Sequence, residues 1–168
     1  MAVRSVLRFP HPALKQEAIS LPPAEHARIG SVARDLVDTM RAHPGCVGLA
    51  APQIGEVVRI VVVDVTEHPR ATTSSGLLVL VDPSVVASAG SEVAREGCLS
   101  IPDLTANVRR ATSITVEART PSGDERRLEA EGFEARCLLH EIDHLDGVLF
   151  LDRVDSLTAD VFRRKHYQ

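Results

Sequence analysis

The sequence predicts an α+β fold in a single domain, with antiparallel β-sheets packed around a central helix and a further helix toward the N-terminus. Three observations predict it. Two long segments carry apolar residues at helical spacing, one early in the chain and one late. The runs between them are β-branched, or flank turn residues, as antiparallel strands do. The order helix, strands, helix lacks the alternation that builds a parallel doubly wound sheet, and no glycine-rich phosphate loop is present. A length of 168 residues suits one core spanning 1–168. Aromatic residues make up only 3%, so that core must be aliphatic.

The elements follow in order. "FPHPAL" (9–14) is a proline-punctuated extended segment. "PPAEHARIGSVARDLVDTMRA" (22–42) predicts the first helix, with prolines at its start and Ile29, Val32, Leu36 and Met40 on one stripe. "HPGCVG" ends it in a glycine-bearing loop. "VVRIVVVDV" (57–65) predicts a buried strand. "EHPRATTSSG" (67–76) is a polar, mobile hairpin loop, and "LLVLVDP" (77–83) is a strand stopped by Pro83. "SITVEART" and "ERRLEAE" flank the turn "PSGD" and should pair antiparallel. "GFEARCLLHEIDHLDG" (132–147) predicts the second helix, closed by Gly147.

Composition excludes several classes. A formal net charge of −4 argues against DNA or other bulk nucleic-acid binding. No apolar run is long enough to span a membrane, and the start lacks the apolar stretch of a secretion signal. Three cysteines, Cys46, Cys98 and Cys137, form no paired set. They imply free thiols in a reducing, cytoplasmic compartment.

The chemistry concentrates in the second helix. His140 and His144 are four residues apart and project from one face, so both imidazoles can reach one divalent ion. Glu141 beside them can serve a water as a proton shuttle. Cys137 and Phe133 continue that face toward an apolar wall. Leu138, Ile142 and Leu145 make a second apolar stripe, so the helix should be central and mostly buried. Hydrolase sites of this type use three protein ligands and one open position. Downstream, Asp146, Asp152, Asp155 and His166 are poor third ligands. Upstream, "REGCLSIP" (95–102) holds Cys98 next to Gly97 in a tight segment ended by Pro102, and its thiolate is the better candidate.

A third segment, "CVGLAAPQIG" (46–55), places Gly48 and Gln53 ahead of these two. "GLAAPQ", "EGCLS" and "HEIDH", in this order and at these separations, closely resemble the three signature motifs of the peptide deformylases. The resemblance covers nearly the whole chain. It implies an α+β domain around a metal-bearing helix, and removal of the N-formyl group from the initiator methionine of nascent chains. It maps the metal ligands onto Cys98, His140 and His144. The ion it implies is typically Fe2+ in the cell, with Zn2+, Ni2+ or Co2+ also accepted in vitro. The general acid and base maps onto Glu141, and the oxyanion donors onto Gln53 and the backbone N–H of Leu99. Peptide binding maps onto the Gly48 backbone, and the methionine wall onto Val47, Phe133 and Cys137.

The sequence departs from the family pattern at three places. Cys46 stands where glycine is usual, Leu139 where glutamine is frequent, and Thr105 where many members carry an arginine near the cleft. Arg109 or Arg110 could supply that charge. The basic tail "VFRRKHYQ" (161–168) reads either as a helix end or as a surface for transient ribosome contact. Two rival readings remain: a metallopeptidase, disfavoured by the upstream Cys98, and a non-catalytic metal-binding module, disfavoured by Glu141 and Gln53.

Overall fold

A computed structural model of the chain describes residues 2–165. It contains helices α1 (His26–Ala42) and α2 (Gly132–Leu145). The strands are β1 (Gly48–Ala50), β2 (Ile60–Val63), β3 (Leu78–Ala89), β4 (Glu92–Cys98), β5 (Ile101–Arg110), β6 (Ser113–Arg119), β7 (Glu125–Glu131) and β8 (Val161–Arg163). One sheet has the order β1-β2-β3-β6-β7 and the other β4-β5-β8. Every strand pairing within them is antiparallel, as the sequence predicts.

The burial pattern explains why β2 is a continuous apolar run. Its side chains alternate between two filled faces. Ile60 and Val62 pack with Ile29, Val32, Leu36 and Met40 of α1. Val61 and Val63 pack with Leu138, Ile142 and Leu145 of α2. A strand covered on both sides has no position for a polar residue. The other side of α2 meets the second sheet, where Cys98, Ile101, Ala106 and Val108 cluster with Leu14 and Phe150. The second helix is thus central. Leu138 is fully buried within it, and Leu138→Ala is expected to lower unfolding free energy by about 2–5 kcal/mol in denaturant titration.

Gly147 ends α2 as its sequence position suggests. The N–H of Val148 donates to Asp143 O and that of Gly147 to His144 O, a paired closure with Gly147 at φ +71°. A Cβ on Gly147 would also lie 2.7 Å from Lys15 O, so glycine is required twice over.

The structure corrects several expectations. Pro83 does not stop its strand, because β3 runs on to Ala89. A register shift between Val81 and Ser84, with Asp82 at φ +50°, carries the proline through without a ladder N–H. Pro102 likewise lies inside β5 rather than ending its segment. The loop 67–76 is polar, as read, but docked: Ser75 donates twice to the buried Glu134, at 2.7 and 2.8 Å, and His68 stacks on Phe133. Pro12–Lys15 is a short 3-10 turn rather than extended chain. The tail is not a helix end, since Val161–Arg163 pairs with β5. His166 and the last two residues of the basic tail lie outside the described residues.

Candidate metal centre and active site

β4 and α2 bring three donors together. Cys98, His140 and His144 each offer a ligand atom, and these atoms all lie within 4.8 Å of one another. The Cys98 Sγ to His144 Nε2 distance is 3.4 Å. All three residues are buried, which concentrates donors where few waters can compete.

The fourth member of the cluster was not singled out from the sequence. Glu96 stands two residues before Cys98, so both side chains point from β4 toward α2. Its Oε1 accepts from His140 Nδ1 at 2.9 Å, leaving Nε2 to face Cys98. Arg110 donates to both Glu96 oxygens, at 2.7 and 2.9 Å, and Arg136 adds a third bond at 2.7 Å. Asp143 accepts from Arg110 at 2.9 Å and from Arg153 at 3.0 and 3.1 Å. Burial opposes ionisation of Glu96, yet the bonds from His140 and Arg110 prevail and hold it well below the usual carboxylate range. For His140, burial disfavours the charged form, but hydrogen bonds with Cys98 and Glu96 outweigh it and raise its pKa. For His144, burial and then the His140 charge both push the pKa down.

These residues fit a divalent ion. Two imidazoles and a thiolate are a borderline-soft donor set of three, leaving one position open. A carboxylate already fixes the second nitrogen of one imidazole, as ligating histidines require. Glu141 Oε2 is buried without a protein partner beside them, among the described residues.

Glu141 lies against Gly48. A Cβ on Gly48 would come within 2.7 Å of Glu141 Oε1 and 2.9 Å of its Cγ. The glycine therefore sets where the carboxylate sits. Burial pushes the Glu141 carboxyl up to about 7. Gly48→Ala is expected to reduce turnover by about a hundredfold through displacement of Glu141, with the ion content unchanged. Comparison of kcat with metal analysis on the same sample checks it.

Gln53 is buried, and its side chain spans the same centre. Its Oε1 accepts from Ala50 N at 3.0 Å, and its Nε2 donates to Ser100 Oγ at 3.1 Å and to Cys98 Sγ at 3.4 Å. A cleft of about 270 Å³ opens beside these groups, lined in part by Val47, Gly48, Leu99, Phe133, Cys137 and Glu141. A larger groove of about 620 Å³ beside Ser88, Ser113 and Glu131 holds none of the three donors, so chemistry rather than size marks the site.

The departures at the motifs resolve in different ways. Cys46 does not adopt a positive φ, so its loop does not need glycine there. Burial first, and then Glu141, raise its thiol to about 12, and the thiol donates to Gly48 O at 3.2 Å. Leu139 packs against the apolar core beside α2. Neither arginine offered for the cleft reaches it. Arg109 is exposed and pairs with Asp155 at 3.2 Å, and Arg110 is spent on Glu96 and Asp143. Asp146 pairs with Arg59, and Asp152 with Lys15, so neither those acids nor Asp155 approaches the donors.

Comparison with known proteins is decisive. The family model described as polypeptide deformylase matches residues 3–160. The chain belongs to the polypeptide deformylase family. A peptide deformylase of Xylella fastidiosa (strain M12) is 42% identical over 167 residues, covering 98% of this chain and 95% of that protein. One of Rhizobium meliloti (strain 1021) is 42% identical over 166 residues, covering 98% and 92%. A class I type b peptide deformylase of Acinetobacter baumannii superposes with a TM-score of 0.84 at 31% identity, covering 92% of this chain and all of that one. Deformylases are metal-dependent hydrolases that remove the N-formyl group from nascent peptides, and this chain is an enzyme of that kind. Its deformylase motifs are the segments that converge on the cleft.

Proposed function

We propose that the chain, as one catalytic domain over 1–168, deformylates initiator formyl-methionine through the cluster beside Glu141. The observation that carries this reading is the convergence of Cys98, His140 and His144 within 4.8 Å next to a buried carboxylate. These three residues hold one divalent ion, Fe2+ in the cell, with Zn2+, Ni2+ or Co2+ accepted in vitro. When bound, such an ion supplies a water acidified toward neutral pH and a Lewis acid for the formyl oxygen. Glu141 takes a proton from the attacking water and later hands it to the leaving amine. Gln53 Nε2 and the Leu99 N–H donate to the formyl oxygen as negative charge develops, each worth of order 3 kcal/mol when well aligned. The Gly48 backbone holds the peptide, and Val47, Phe133 and Cys137 take the methionine side chain. Formate and a free amino terminus are the products.

A Met-Ala-Ser peptide is bound in one of the similar structures, an Acinetobacter baumannii deformylase at 30% identity and a TM-score of 0.84. That supports a peptide whose first residue is methionine as the ligand of this cleft. The enzyme works in the cytoplasm on chains leaving the ribosome, with transient ribosome contact through the basic tail, and with neither DNA nor membrane as partner. Among the described residues no helix is long and apolar enough to cross a membrane. The test is formate release from formyl-Met peptides under anaerobic conditions, with metal content measured on the same sample. An iron-loaded sample that releases none overturns the reading.

A further inference from the structure

One side chain reaches the cleft from an element no motif marks. β8 runs along β5, with Phe162 opposite Thr105, and just beyond it the Arg164 N–H donates to Asp103 O at 2.8 Å. This turn lays the Arg164 guanidinium over Gly97. A Cβ on Gly97 would lie 2.0 Å from Arg164 Nη2, so the residue before Cys98 must be glycine for the arginine to rest there. Arg164 lines the same cleft as Cys98, Leu99 and Glu141.

Three more arginines line that cleft, and all are engaged. Arg136 donates to Glu96 Oε2 at 2.7 Å. Arg95 donates to Asn107 Oδ1 at 3.1 Å and Thr105 Oγ1 at 3.2 Å, and its guanidinium stacks on Phe162. Arg70 donates to Arg95 O at 3.0 Å and lies over the Phe133 ring. Arg164 differs. Its buried Nε has no partner, and neither Arg164 nor Arg70 nor Arg95 is paired with a carboxylate, among the described residues. Of the two acids in the cleft wall, Glu96 is already neutralised by Arg110 and Arg136, and Glu141 is packed against Gly48 beside the donor cluster. A chain of formal net charge −4 thus presents a cationic cleft mouth with one guanidinium uncommitted among the described residues.

A formyl group and a thioether side chain have no use for a cation. A guanidinium at the mouth matches a carboxylate farther along the peptide. We propose that Arg164 is a specificity-determining residue that favours formyl peptides carrying a carboxylate shortly after the formylated methionine, an inference that rests on the deformylase reading of the cleft. The carboxylate comes from an acidic side chain or from the end of a short peptide.

The experiment compares the wild type with Arg164→Ala, Arg164→Lys and the exposed neighbour variant Arg163→Ala. Substrates are formyl-Met-Ala-Glu amide, formyl-Met-Ala-Gln amide and formyl-Met-Ala-Gln with a free carboxyl end. The wild type should show a KM about tenfold lower for a carboxylate-bearing peptide than for the neutral amide, a ratio that shrinks at high salt. Arg164→Ala should abolish the ratio mainly through KM, Arg164→Lys should keep part of it, and Arg163→Ala should keep it all. Which acidic peptide is favoured identifies the source of the carboxylate. A merely structural role would lower kcat and thermal midpoint while leaving the ratio intact, and that result overturns the proposal. So does a wild type that does not discriminate. Calorimetric binding of unformylated Met-Ala-Glu amide and Met-Ala-Gln amide separates the two readings. An Arg164-dependent preference in binding, with no formate from any peptide, sustains this proposal and sinks the deformylase mechanism.

Discussion

Glu141→Gln is expected to lower kcat by about 10²–10⁴-fold while the purified protein still carries its ion. The substitution keeps the shape of a buried side chain packed on Gly48 and removes only its capacity to accept and return a proton. Glu141 is not among the three converging donors, so ion content should match the wild type. Measured formate release and metal analysis on one sample decide it. Full activity would remove Glu141 from the mechanism, and loss of the ion would make it part of the binding set instead.

Glu96→Ala should produce the largest loss of stability. Glu96 accepts from Arg110, Arg136 and His140 inside the protein, with its side chain only 6% exposed. Removing it leaves buried cationic donors short of partners, a cost of about 3–5 kcal/mol. It also frees the second nitrogen of His140, which should weaken ion retention about 10–100-fold. Unfolding in urea measures the first effect, and competition with a chelator the second. Glu96→Gln separates them, since it keeps one acceptor for His140 but loses the charge. Because the folded protein depresses the Glu96 pKa, the stability it contributes is present above the ordinary carboxylate range. It is lost as pH falls through the depressed folded value. Unchanged unfolding in both variants would show that the network is not stabilising.

What the sequence made legible depended on whether periodicity matched burial. α1, α2, β2 and the β6–β7 hairpin were readable because apolar side chains mark their buried faces. The β4–β5 hairpin was not, because its inward positions include Glu96 and Arg110, and buried charge erases the alternation that betrays a strand. β3 ran past its proline because a bulge needs no ladder hydrogen bond at Pro83. At the site, the motif spacing pointed to Cys98, His140 and His144, and the structure brings their donor atoms together. Glu96 carried a usable signal, since two residues along a strand share a face with Cys98. Arg164 carried none: its place over Gly97 follows from pairing β8 with β5 across more than half of the second sheet's sequence span.

The placement of α2 and β8 late in the chain also governs the order of assembly. Cys98 and His144 are separated by 46 positions, and the second sheet gains its third strand only at Val161–Arg163. While this protein is itself being made, β1 to β7 emerge first, with their inward faces lacking the helix that covers them. The donor cluster cannot form until residues 132–145 have left the tunnel, and the cleft mouth is incomplete until Arg164 follows. A chain truncated before α2 would therefore lack His140 and His144 and leave its apolar strands uncovered, so the segment that completes the donor cluster is also the one that protects the sheet from aggregation.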